Sequence, residues 1–324
     1  VSEFAFELAV CAALEGRGDG IVARQLGAGV ADPGGRIVDV VAVEPGPAFD
    51  ERVAITPGTI PEAAIEADVG PGRPRYWKDA FDCHPERARR AVERALEVGF
   101  FERERRNGRE YVRQVARYPD WVGRLVGIEN KPDLGRPGDL EAQLRTDVSL
   151  ALFDEAILAT GSYVTRAHLN RIPADVGVWR VRTDREPTEI EVVREPTRLA
   201  VEEAGIEPLE SLPGRTDVAV VSPAEKARAR RRLAERAYGK GWRTFTFPAC
   251  RACEPDERTG ATLPYCAWKG RVVDAGSECG SSCGGYDPGE AADVDLEAER
   301  DRRGPWVADP PGRRRRQAGL DRFR

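Results

Sequence analysis

Trp121-Val-Gly-Arg-Leu-Val-Gly-Ile-Glu-Asn-Lys131 is an apolar run short enough for a strand buried on both faces, with its polar residues gathered at the carboxyl end. A second run of the same kind, Arg36-Ile-Val-Asp-Val-Val-Ala-Val43, is interrupted by one acid, Asp39. Outward from these two strands the periodicity is helical. Ser2 to Glu15 spaces Phe4, Leu8 and Cys11 along one face, and a Gly-rich link follows it. Leu140 to Phe153 aligns Leu140, Leu144, Val148 and Ala151 behind Asp139, an expected N-cap. Ala156–Thr160 and Val176–Val181 read as further short strands, with a short helix over Thr165–Ile172 between them. Alternating helices and strands make an α/β core.

The two acid-bearing strands are separated by an insert. Pro85 to Val98 is a clear helix, with Ala88, Ala91, Val92 and Leu96 in one stripe, and a short helix is expected near Pro61–Ala67. Phe100–Arg106 and Arg109–Val115 flank Asn107-Gly108, a strong hairpin signal. Helices followed by such a hairpin suggest a winged-helix-like module. Further along, Ser222-Pro-Ala-Glu225 is a capping box that opens an Arg-rich helix. The expected division is therefore a core in two parts, 1–50 and 120–185, around an insert at 51–119. An accessory region at 186–245, a Cys-rich module at 246–290 and a disordered charged tail at 291–324 follow.

Composition narrows the function. The 324 residues carry 50 Lys plus Arg against 55 Asp plus Glu, a net charge of −5, and no Met. The basic residues are almost all Arg, which points to a GC-rich genome, and the carboxylates to a halophilic source. No apolar run is long enough to span a membrane. Glu3 and Glu7 interrupt the first apolar stretch, so a secretory signal is not expected and a cytoplasmic location is. Neither a Walker loop nor a dinucleotide fingerprint occurs, so no nucleotide cofactor is expected.

Alternate residues of a strand share a face, so Glu129 and Lys131 are expected to point the same way. If their strand pairs with that of Asp39, the two carboxylates converge on one divalent cation. Mg²⁺ or Mn²⁺ takes one or two carboxylates plus water and phosphate oxygens. The Asn130 carbonyl is a further candidate ligand, and Lys131 would stand beside the ion to orient the attacking water or offset phosphate charge.

Asp39 in Ile37-Val-Asp-Val-Val41, with Glu129-Asn-Lys131 at a strand end, resembles the PD-(D/E)XK nuclease superfamily. The resemblance covers about 1–43 and 121–181. It implies a restriction-endonuclease-like αβββαβ core and metal-dependent phosphodiester hydrolysis. Asp39, Glu129 and Lys131 would carry the chemistry, Gln143 on the following helix would position the site, and Glu7 matches an additional acid on the first helix. In the RecB-like branch a Tyr stands four residues after that Gln; here the position is Asp147. The whole chain also resembles an uncharacterised family of haloarchaeal proteins that joins such a core to a C-terminal Cys cluster.

That cluster is Cys250, Cys253, Cys266, Cys279 and Cys283. Four thiolates hold Zn²⁺ or an iron–sulfur cluster. The economical set is Cys250, Cys253, Cys266 and one of Cys279 or Cys283, and spacing does not choose between zinc and 4Fe–4S. Cys11 and Cys83 read as structural, as do His84 and His168. DNA is the expected partner. Arg87, Arg89 and Arg90 with Arg103, Arg105 and Arg106 of the hairpin are its candidate contacts, against a packing role suggested by Glu102, Glu104 and Glu110. Arg313–Arg316 would add salt-sensitive affinity. The alternative to a nuclease is a non-catalytic DNA-binding or regulatory protein on an inactive core.

Overall fold

Val and Ile fill both faces of the central strands, and the observed sheet is covered by helices on both sides. The computed structural model describes residues 2–303 apart from 19, 33, 54–60, 116–118 and 137. The chain forms two compact units, one from residues up to Glu44 and from Arg124 onward, the other from Pro45–Gly123.

The first unit begins with α1 (Glu3–Gly16), opened by Ser2, whose hydroxyl accepts the Ala5 N–H. Then come β1 (Ile21–Gly27) and β2 (Ile37–Pro45). The second unit contains α2 (Phe49–Val53), α3 (Glu62–Glu66), β3 (Arg75–Tyr76), α4 (Pro85–Glu97), β4 (Phe101–Arg106) and β5 (Arg109–Gln114). The chain returns through β6 (Val122–Asn130), α5 (Leu140–Leu150), β7 (Glu155–Thr160), α6 (Arg166–Leu169), β8 (Gly177–Arg182) and β9 (Glu189–Arg194). Strand order in the main sheet is β1-β2-β6-β7-β8-β9. β1–β2 and β8–β9 are antiparallel, and β6–β7 and β7–β8 are parallel. Parallel neighbours need a crossover, and α5 and α6 supply it.

The period of two assigns the faces. Val126, Ile128, Ile157 and Ala159 pack against Phe6, Leu8 and Val10 of α1. Ala156, Leu158 and Val178 pack against Leu140 and Leu144 of α5. Glu129, one residue past Ile128, therefore stands on the α5 side. Gly127 faces Phe153 on that side, where an added Cβ would lie 2.7 Å from the ring. Gly127→Ala is expected to cost roughly 1–3 kcal/mol by overpacking, read as a lower urea midpoint with an unchanged slope.

In the second unit, Asn107 and Gly108 both take positive φ (50° and 76°), the backbone a two-residue hairpin requires. The three-stranded sheet runs β3-β5-β4. Ala88, Ala91, Val92 and Ala95 of α4 close its core with Phe100, Phe101 and Val112. His84 caps α4 by accepting the Glu86 N–H, and His168 completes a capping box with Thr165, so both imidazoles have structural work.

Several expectations need correction. The Gly-rich link after α1 contains β1; glycines on both sides of Ile21–Gly27 hide a seven-residue strand. Asp139 precedes α5 without a side-chain capping bond. Residues 186–290 do not stand apart from the core. β9 joins the main sheet, and the hairpin β10 (Gly205–Leu212) and β11 (Arg215–Val221) leads to α7 (Pro223–Lys240), which packs on β1. The Cys-rich segment forms β12 (Cys253–Asp256), β13 (Leu263–Cys266), β14 (Arg271–Val272) and α8 (Ala275–Glu278), and its Ala261 and Leu263 join the α1 core beside Trp242 and Phe245. Nor does disorder begin at 291. α9 (Leu296–Arg303) buries Glu299, which accepts from Arg243 at 3.1 Å and from the Thr262 N–H at 3.0 Å. Arg313–Arg316 lie outside the described residues. Among the described residues no helix is long and apolar enough to cross a membrane.

Candidate functional site

Register brings the acids together at one end of the sheet. β2 and β6 are neighbours, and the Asn130 N–H donates to Asp39 Oδ2 at 2.8 Å, so Asp39 meets the residue that follows Glu129. Between the pairs Arg24↔Val40 and Leu26↔Val38, Gln25 of β1 stands opposite Asp39. Its Nε2 donates to Asp39 Oδ1 at 3.2 Å and to Glu7 Oε2 at 2.9 Å. Arg24 pairs with the other Glu7 oxygen. Glu7 of α1 is therefore linked to Asp39 through Gln25.

Glu129 is anchored from the α5 side. Arg36 Nη2 donates to Glu129 Oε2 at 2.5 Å, while its Nε and Nη2 grip Asp147 at 3.0 and 2.7 Å. All three side chains are buried. Burial, then the nearby Asp39 charge, pushes the Glu129 carboxyl from 4.5 to about 8; Arg36 opposes this. The guanidinium does not win because its bidentate grip is spent on Asp147. Asp39, Glu7 and Asp147 are also raised, each mainly by burial.

Lys131 follows the last residue of β6, and its backbone N–H donates to the Ala159 carbonyl of β7 at 2.8 Å. Its Nζ turns to Glu3 Oε1 on α1 at 3.0 Å, whereas Glu129 turns toward α5. Gln143 is half-buried, and the α5 side chain that reaches the cluster is Asp147, one turn later. The Asn130 amide is buried with neither Oδ1 nor Nδ2 hydrogen-bonded.

Arg24, Gln25 and Arg36 were not singled out as site residues from sequence, and Asp147 was noted only as the residue four after Gln143. The others depend on partners far along the chain.

The five clustered thiols are also gathered, and none of these five is in a disulfide. Cys253 and Cys266 face each other across β12 and β13. The Asp287 N–H donates to Cys250 Sγ at 3.4 Å. Burial, then the neighbouring Cys279, Cys266 and Cys250, pushes Cys253 up to about 12. Cys279 is raised by burial, then by Cys266, and in turn feels Cys283. Still, among the described residues no three His, Cys, Asp or Glu side chains are closed to metal-ligand geometry.

The hairpin charges are largely spent locally. Arg103 pairs with Glu110, Arg106 with Glu104 and Arg113 with Glu102.

A family model, "Family of unknown function (DUF5787)", matches residues 21–288. The chain belongs to the DUF5787 family. No curated protein and no solved structure matches it. The DUF5787 match opens at β1 and closes just past Cys283. Gln25, Arg36, Asp39, Glu129, Lys131 and the clustered cysteines lie inside it, and Glu7 lies before it.

Proposed function

We propose that this DUF5787 protein is a divalent-metal-dependent phosphodiester hydrolase acting on DNA. The observation that carries the reading is the pair Asp39 and Glu129. These carboxylates stand on neighbouring strands, Glu129 buried and Asp39 half-buried, and the Asp39 charge raises the Glu129 carboxyl. A cation shared between them would relieve that repulsion. The donor set suits Mg²⁺ or Mn²⁺, which need few carboxylates when water and phosphate complete the shell. When bound, the ion supplies a Lewis acid and lowers the pKa of its water. The chain's own residues do the rest. Asp39 and Glu129 hold the site, with the Asn130 carbonyl as a further oxygen. Lys131 released from Glu3 would offset charge on the phosphate. Further support comes from the order α1-β1-β2-β6-α5-β7, which matches the αβββαβ core that the sequence resemblance implies.

The order α3-β3-α4-β4-β5, with sheet order β3-β5-β4, resembles that of a winged helix, which is the support for duplex DNA as substrate. The clustered thiols have the donor chemistry for Zn²⁺, with 4Fe–4S as the alternative, and the fourth ligand would be Cys279 or Cys283. Purified protein is expected to carry equimolar zinc, without visible absorption, and Cys253→Ser to lose it. Elemental analysis with an absorption spectrum decides this, and brown protein with iron would replace zinc by the cluster.

One observation favours the second reading, a non-catalytic DNA-binding protein. Arg36 engages Glu129, the carboxylate that the ion needs. The deciding assay uses Mn²⁺ or Mg²⁺ with single-stranded, duplex and branched DNA, beside Glu129→Ala, up to molar KCl. Cleavage lost in the variant supports the hydrolase. DNA binding that persists in Lys131→Ala, with no cleavage by metal-replete wild type, supports the second reading.

A further inference from the structure

We infer that Gln25 is a positioning residue, held in a strained backbone so that its one amide fixes the Glu7 and Asp39 carboxylates relative to each other. The inference rests on the proposed metal site and extends it to a residue that neither the motif nor the family match marks out. Successive side chains of a regular strand point to opposite faces. Yet Arg24 and Gln25, adjacent in β1, both reach the Glu7 carboxylate. The backbone explains how. Gln25 has φ of 52°, in the left-handed region, one of three non-glycine residues with positive φ among those described. Asn107 is in a hairpin turn and Ala151 caps a helix, places where that conformation is ordinary. Gln25 alone adopts it within a strand.

The contacts account for this. A carboxamide has two N–H donors, and Gln25 gives one to each carboxylate, at 2.9 and 3.2 Å. Its carbonyl accepts from Lys240 Nζ of α7 at 2.6 Å, which ties the strained peptide down from a third element. The charged groups around it are Glu7 and Asp39 on one side and Arg24 and Lys240 on the other. A neutral amide between two acids fixes their spacing without placing a second cation at the site. Strained backbone of this kind persists only where the surroundings over-determine it, and it collects at functional sites.

The variant Gln25→Gly separates positioning from scaffolding, because glycine takes the same φ without strain while deleting the amide. Manganese binding to the full-length protein, measured by calorimetry without DNA, is the readout, with thermal denaturation alongside. Gln25→Gly is expected to keep or raise the melting temperature of the metal-free protein and to weaken Mn²⁺ binding about tenfold. Gln25→Asn, which tolerates the same φ, is expected to fall between. Equal Mn²⁺ affinity for wild type and Gln25→Gly overturns the inference and leaves the metal site standing. A parallel fall in stability and affinity overturns it in favour of scaffolding. If neither wild type nor Asp39→Asn binds Mn²⁺, the proposed function fails and the inference falls with it.

Discussion

Glu129→Gln is expected to stabilise the metal-free protein above neutral pH while abolishing metal-dependent cleavage. The Glu129 carboxyl is raised from 4.5 to about 8 by burial and by Asp39, against the pull of Arg36. Between those values the folded protein keeps a proton that the unfolded chain gives up. Stability contributed by that proton is full below the unfolded value and is lost as pH rises through the folded one. By pH 9 the cost of the ionised group is on the order of 4 kcal/mol. Glutamine avoids it and still leaves Arg36 its two bonds to Asp147. The expected difference in melting temperature is near zero at pH 5 and grows to roughly 10 °C at pH 9. Mn²⁺ should close the gap for wild type and do nothing for the variant. A variant less stable than wild type at every pH would make Glu129 a structural partner of Arg36 and remove it from the metal site.

Arg36→Met should have the opposite sign. Asp147 and Glu129 are buried against one guanidinium. Removing the cation strands both, and breaking such a buried pair costs about 3–5 kcal/mol. The loss should shrink toward pH 5, where the two acids can take up protons, and deepen toward pH 9. Arg36→Met with Asp147→Leu should recover most of it, because the well-packed apolar replacement no longer leaves a charge behind. Urea unfolding of both singles and the double at two pH values gives the coupling. A cost that does not change with pH would show that the Arg36 stem is packing, and that its charge is not what holds the cluster.

What was legible in sequence follows the range of the interactions. Asp39 and Glu129 stood out because each interrupts an apolar strand, and strand neighbours are set by local pattern. The Asn107-Gly108 hairpin and the Ser222–Glu225 capping box were legible for the same reason; their chemistry is complete within a few residues. β1 was missed because glycines border a strand of ordinary composition. The pairing of Lys131 with Glu3 on α1 was not legible, because it joins segments far apart in the chain. Arg36 with Asp147 and Arg243 with Glu15 and Glu299 are pairings between distant segments, and no local pattern announces them. The last pairing, with Leu263 in the α1 core, is why an expected separate module and tail are part of the main unit.

The neck of the second unit has a kinetic consequence. Strands β2 and β6 are neighbours in the sheet but flank the whole Pro45–Gly123 unit in the chain. Closing a loop of roughly 75 residues costs about 2 kcal/mol more in chain entropy than closing one of about six. The Gly46 N–H, however, donates to the Trp121 carbonyl at 2.6 Å, so the folded unit holds its own two ends together. Its apolar cluster, with Val92, Ala95, Phe100 and Val112, is complete without the main sheet. With Gly46 held to Trp121, the loop between the end of β2 and the start of β6 is closed locally and has become a short one. Prior folding of the inserted unit is therefore expected to speed the pairing of the strands that carry Asp39 and Glu129. Weakening its interior, as in Val92→Ala, should slow refolding of the main sheet even though no side chain of that sheet has changed.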